Sequence, residues 1–386
     1  MNRKVIIVGS ALLILLIAGG LIWYFLAAPQ APGKGSFLDN LPIIGGRAPL
    51  ERESPIPPPP SPITEERIIR QIVDRDIIGP ALALDGKSIL YVLRENGHVM
   101  SADLAGDNEK NLTNLTVLET FEALWSPKKN RVAMRYADGS TVKTFLAGVA
   151  TGTASKFLPP ETTALDWSPD GLSIAYLTKR SVDAALIIAD AANQKPQVVW
   201  TTPIPDFTLR WAAKNLIILI AKPSGLAPSL VMRFDTNTRQ ATVLPIAAPG
   251  VVVLAMPDGS GLLFSQSAEG GRARALALYK FSTGQVMLLE YITIAEKCGF
   301  SADAKKIFCG VPRSPLPSPM PDEWYRGAVS FSDNIVEIDT ATGQTKTILS
   351  DMPDLDVTSS LASPDGKYLF FQNKSDGTLW RLTLGQ

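Results

Sequence analysis

The sequence predicts an all-β fold: a seven-bladed β-propeller preceded by one N-terminal transmembrane helix and a Pro-rich linker. Three observations predict it. A motif whose clearest copy is Trp167-Ser168-Pro169-Asp170-Gly171-Leu172-Ser173-Ile174-Ala175-Tyr176 returns seven times, with turns at Asp85, Lys128, Asp170, Lys214, Asp258, Asp303 and Asp365. Six gaps separate those turns, five of about 42–45 residues and one of about 62; a fixed period of roughly 40–45 residues marks a propeller blade. The chain opens on an uncharged apolar stretch, Val5 to Ala28, followed by a segment dense in Pro and Gly.

The elements follow in chain order. Asn2, Arg3 and Lys4 precede the apolar stretch. At about 1.5 Å per residue it is long enough to cross a hydrocarbon core of roughly 30 Å. The basic end is expected to stay in the cytoplasm, with Trp23 and Tyr24 at the outer interface. The rival reading is a cleaved signal peptide; the stretch is long for one, and Pro29 and Pro32 interrupt the small residues Ala27, Ala28 and Ala31. An uncleaved anchor over 1–28 is therefore expected, holding the propeller outside the cytoplasmic membrane. Residues 29–62 read as a linker, with Pro57 to Pro60 favouring an extended polyproline stalk. The propeller is expected over 63–386.

Each blade reads as four strands. In the clearest copy Thr163–Trp167 leads into the Asp170-Gly171 turn, Ser173–Leu177 leaves it, and Ala185–Ala189 and Gln197–Trp200 complete the sheet. Asp-Gly between apolar runs is a strong hairpin signal, because Gly takes a positive φ without steric cost. The last blade has only three runs, the final one at Leu379–Leu384. Glu66–Ile72 has no other home, so it is expected to pair beside that run and remove an exposed edge.

On these residues the chain resembles the TolB-like propeller family, whose repeat is close to W-S-P-D-G-x-x-I-A-Y. The resemblance covers about 64–386. It is specific at Ala164–Leu177 and Ser360–Phe371, and degenerate at Lys128, Lys214 and Asp303, the last followed by Ala304 instead of Gly. WD-repeat propellers match less well: Gly97-His98 is the only Gly-His pair, and no Trp-Asp pair occurs. Trp125, Trp167 and Trp211 share one blade position and are expected to pack blade against blade rather than form a ligand platform.

Charge and composition exclude several functions. Lys plus Arg and Asp plus Glu are 37 each, with no basic stripe, so nucleic acid is not an expected partner. The one histidine, His98, rules out a His-rich metal site, and no G-x-S-x-G elbow is present. Asp85-Gly86-Lys87-Ser88 lacks the first glycine of a phosphate loop. The turn aspartates recur because the turn needs them, not as calcium ligands. No cofactor and no metal is expected. The two cysteines, Cys298 and Cys309, lie symmetrically about the Asp303-Ala304 turn. If Phe300 faces Ile307, Cys298 faces Cys309, and a cross-strand disulfide is expected.

The long gap before Asp365 holds an insert at 311–333, rich in Pro and carrying Asp322, Trp324, Tyr325 and Arg326. It lies between the second and third strands of the sixth blade, on the face that carries the connections between blades. Trp, Tyr and Arg are the residue types of interface hot spots, so these four residues are candidate binding residues. The competing reading is a loop folded back to cap the blade or the channel mouth. This stretch, with Cys309 before it and Ser330 to Asp333 after it, also resembles a group of membrane-anchored bacterial propellers, which implies architecture and no activity.

The expected function is non-enzymatic: a scaffold or recognition module for an envelope protein, peptide or glycan. Two alternatives stay open. One is an enzyme-associated propeller like the gating domain of prolyl oligopeptidases, for which no hydrolase domain remains here. The other is a lyase or hydrolase using carboxylates in the channel, for which Asp166 and Asp206 are the candidates.

Overall fold

The computed structural model describes residues 69–149, 155–350 and 353–385. The anchor expected at 5–28 and the linker at 29–62 lie outside the described residues. Among the described residues no helix is long and apolar enough to cross a membrane.

Seven four-stranded antiparallel sheets make up the fold. Six are consecutive meanders. Their innermost strands are Ile77–Leu82, Thr120–Trp125, Thr162–Trp167, Phe207–Ala213, Val252–Ala255 and Cys298–Phe300. In the seventh sheet the strand Ile69–Val73 lies outermost, beside Leu379–Thr383, with Tyr368–Asn373 and Val357–Ala362 inside it. The ring therefore closes by pairing the first strand with the last, as the three-run final blade implies. Closure removes the one edge that the repeat leaves unpaired.

Why the turns recur is visible in their bonds. Ser168 Oγ donates to Asp170 at 2.6 Å, while the N–H groups of Ser173 and Leu172 donate to Ser168 Oγ and Asp170 Oδ1. Gly171, at φ +64°, reverses the chain. The same pattern holds at Ser301/Asp303 and Ser363/Asp365. The Ser168 hydroxyl and backbone N–H groups hold Asp170 below its usual carboxylate range, and Asp303 and Asp365 follow for the same reason. Ala304 takes φ +57° in the place of glycine, so that turn keeps its geometry at a conformational cost. A second recurring turn follows the third strand. There Asp103, Asp190, Asp235 and Asp339 each accept two backbone N–H groups.

Between blades the core is apolar. Trp167, 3% exposed, packs with Leu165, Ile174, Tyr176 and Ala133, and its indole N–H donates to Leu124 O of the preceding blade at 3.1 Å. Trp125 does the same to Gly79 O at 2.7 Å. These indoles are blade-to-blade packing, and Trp211, at the same position, belongs to the next such core.

In the sixth blade Cys298 pairs with Cys309 across the hairpin, their Cα atoms 4.0 Å apart, and the two are disulfide-bonded. The strands Lys306–Pro312 and Asp333–Asp339 flank the insert, so the ends of the 311–333 segment belong to these strands.

Candidate functional site in the axial channel

Alternation along the innermost strands sends side chains toward the axis. The residue before each repeated tryptophan is Leu124, Asp166 or Arg210. Two cavities lie on the axis. One, of about 670 Å³, opens on the face of the Asp-Gly turns; six blades line it, with Lys129, Arg210, Pro257 and Phe300 among the wall residues. The other, of about 500 Å³, opens on the insert face between Asp76, Arg94, Phe121, Tyr325 and Lys374. Glu296, Thr358 and Ser359 line both.

Charged groups meet where the cavities meet. Glu122 pairs with Arg135 at 2.7 Å. Asp166 accepts the Trp167 N–H and, across the blade boundary, the Trp211 N–H, each at 2.9 Å. It thereby ties the third blade to the fourth. Burial pushes its carboxyl up, against the pull of Arg210. Glu296, from the turn before the sixth inner strand, accepts a hydrogen bond from the Tyr325 hydroxyl. Burial raises this carboxyl too, and burial together with the Glu296 charge drives the Tyr325 hydroxyl well above its usual range. The raised carboxyls match a low-dielectric lumen.

The insert folds down as a cap. Trp324, 2% exposed, sits in the core of the fifth and sixth blades, and its indole N–H donates to Asp356 Oδ2 at 2.9 Å. Beneath it the fully buried Lys297 ammonium pairs with Asp333, at 2.7 Å, and with Asp356. That ammonium lies 5.4 Å from the Trp324 ring centre and 5.2 Å from that of Phe331; such contacts strengthen when desolvated. Burial outweighs Lys297 and raises the Asp333 carboxyl to about 6. Asp333 Oδ2 also accepts the Val357 N–H at 2.7 Å, while Oδ1 has no protein partner among the described residues.

The four expected binding residues thus separate. Trp324 faces inward as part of the cap. Asp322 Oδ2 accepts the Gly225 N–H at 2.6 Å and ties the insert to a loop of the fourth blade. Tyr325 stands at the channel mouth, 41% exposed, and Arg326 is exposed and paired with Glu323. Of the two carboxylates expected in the channel, Asp166 is there. Asp206 is not: it is exposed in the loop before the strand Phe207–Ala213, where its carbonyl accepts the Lys222 N–H. Asp206 precedes the inner strand instead of lying on it, which leaves its side chain exposed outside the lumen. Sequence reasoning missed Glu122, Arg210 and Glu296. The position before each repeated tryptophan signals Arg210; nothing local signals Glu296. Among the described residues no group of three or more His, Cys, Asp or Glu could hold a metal ion.

Fold and channel together define a seven-bladed β-propeller with a charged lumen capped on one face, structurally like oligogalacturonate lyase at low identity. An oligogalacturonate lyase in complex with manganese superposes with a TM-score of 0.59 at 12% identity, over 82% of this chain and 93% of that one. The β-propeller domain of Cps50 (Swd1) from Myceliophteria thermophila gives 0.57 at 11%, over 82% and 100%. TolB from Acinetobacter baumannii gives 0.42 at 17%, over 78% and 64%. No protein-family model and no curated protein matches the chain. At such identities the likeness shows the fold alone, and a fold shared by a lyase and the Swd1 propeller domain does not by itself assign an activity.

Proposed function

We propose that the chain is a recognition module and not a catalyst. In this reading residues 5–28 anchor it in the cytoplasmic membrane, with the propeller on the outer side, where it captures an envelope protein, peptide or glycan at the insert-bearing face. One observation supports binding over chemistry: the three carboxylates grouped near the axis are each tied to a neighbouring group. Glu122 is held by Arg135, Asp166 by two backbone N–H groups, and Glu296 by the Tyr325 hydroxyl. These contacts orient each carboxylate and give it a structural role. The mouth itself has the composition of a recognition surface: Tyr325, Phe121, Lys374 and Arg94 surround it, the mix of aromatic and basic groups found at interface hot spots.

The test is photo-crosslinking in intact cells. A photoreactive residue placed at Tyr325 should form a discrete adduct. One placed at Leu172, 58% exposed on the opposite face, should not. Adducts from neither position, or equally from both, would reject the insert face as the recognition surface. Turnover of a captured ligand that stops in Glu296→Gln would favour the lyase alternative instead.

A further inference from the structure

The cavity on the turn face carries two costs that the fold does not need. In the second blade Lys129 occupies the place that glycine takes at Gly86, Gly171, Gly259 and Gly366. It adopts φ +53° there, a left-handed conformation that disfavours side chains with a Cβ. The same lysine is partly buried against the cavity. Its backbone N–H closes the turn on Ser126 O, but its ammonium makes no hydrogen bond and no ion pair among the described residues, and burial alone lowers its affinity for a proton. A cation that is both strained and desolvated without a counter-charge lacks a partner. Glycine would remove both costs, as it does at Gly86, Gly171, Gly259 and Gly366.

The rest of the wall fits an anion with an apolar body. Arg210 supplies a second cation deeper in, and Leu124, Leu254 and Phe300 supply apolar surface. Ser360 Oγ is buried with no hydrogen-bond partner, and its neighbour Ser359 stands at φ +52° on the inner strand of the seventh blade. Backbone strain and unpaired polar groups converging on one cavity point to a ligand site. The acidic group facing this space is Glu296 at the inner end, which accepts the Tyr325 hydroxyl.

We infer that the turn-face cavity, of about 670 Å³, binds a small organic anion, one carboxylate or phosphate on an apolar body, with Lys129 and Arg210 facing the charge. The size is that of pockets that take small ligands. The site is separate from the insert face and stands or falls independently of the recognition reading.

Calorimetric titration of the full chain with 4-phenylbutyrate and with phenyl phosphate tests this, with 4-phenylbutanol as the uncharged control. At least one anion should bind, at least tenfold tighter than the alcohol. Whichever does so identifies the head group. Lys129→Gly should weaken that binding at least tenfold while melting at or above wild type, because it restores the residue of the other turns. Lys129→Arg should retain it within about threefold, as expected of a charge contact. If neither anion binds, if the alcohol binds as well, or if Lys129→Gly binds as tightly as wild type, the inference is overturned.

Discussion

Replacing Trp324 by alanine tests the cap, and the structure sets the size of the effect. The side chain is 2% exposed in the core of the fifth and sixth blades. Removing a buried Trp costs about 3–5 kcal/mol. The change also removes the indole N–H from Asp356 Oδ2, leaving that oxygen with Ser330 Oγ at 3.3 Å. An under-satisfied buried carboxylate adds about 1–3 kcal/mol. A loss of about 5 kcal/mol follows. At about 2 °C per kcal/mol for a domain of this size, that lowers Tm by about 10 °C. Thermal unfolding of the full chain, followed by near-UV circular dichroism, measures it. Trp324→Phe refines the argument, because it keeps most of the apolar volume and loses only the donor; it should cost about 1–3 kcal/mol. Arg326→Ala is the control on the same insert: exposed, and paired only with Glu323, it should stay within about 0.5 kcal/mol of wild type. A Trp324→Ala protein that melts within 1–2 °C of wild type would refute the cap, and with it the claim that the insert is held rigidly.

Three further outcomes are expected. For Asp333, burial raises the folded-state value to about 6 from an ordinary carboxyl value of 3.8, so its stabilising contribution is complete below about 4 and is lost as pH rises through 6. Wild type should therefore lose about 3 kcal/mol relative to Asp333→Asn between pH 4 and pH 7.5; parallel stability profiles for the two proteins would contradict this. Breaking the Cys298–Cys309 disulfide, by reduction or by the double alanine variant, should cost on the order of 2–3 kcal/mol for a loop of this length, and an unchanged unfolding midpoint would show the hairpin fully ordered without it. Deleting residues 69–73 unpairs the strand Leu379–Thr383 and exposes an edge, so size-exclusion chromatography should show self-association; a monodisperse monomer would mean that the ring closes without that strand.

What the sequence made legible is what the blade imposes. The period, the Pro-Asp-Gly turns and the interblade tryptophans recur because every blade solves the same packing problem, so one good copy teaches the others. The closing strand was legible by elimination, since Leu379–Thr383 had no fourth partner. The disulfide was legible because Cys298 and Cys309 mirror each other about one turn, and a hairpin register carries that symmetry into space. The Lys297–Asp333–Asp356 cluster was not legible: its members come from three separate segments, and Lys297 and Asp356 are 59 residues apart with the insert between them. Nor was Glu296, which lies in a turn before an inner strand rather than on one. The orientation of Trp324 was undecided for a similar reason. A Trp-Tyr-Arg run in a loop reads equally as anchor or as hot spot, and only the buried carboxylate beneath it turns the first residue inward.

That cluster also explains how a Pro-rich loop can be rigid. Pro312, Pro315, Pro317, Pro319 and Pro321 carry no N–H, so most of the segment cannot join a ladder. Its anchors are isolated contacts to three other blades. Met320 N–H donates to Gly271 O, and Ser267 Oγ donates to Met320 O, both at 2.7 Å and both from the fifth blade. Asp322 holds Gly225 of the fourth, and Trp324 holds Asp356 at the start of the seventh. The Lys297 ammonium is what keeps Asp356 in the core to receive that indole. Each contact fixes one point of the loop, and three blades fix its orientation. Tyr325 therefore reaches the channel mouth, with Arg326 exposed beside it, on a scaffold ordered in advance, with little left to immobilise in the proposed complex. Binding loses less entropy to a surface held in this way. A cap and a recognition element are then not rivals: burying Trp324 is what presents the two residues beside it.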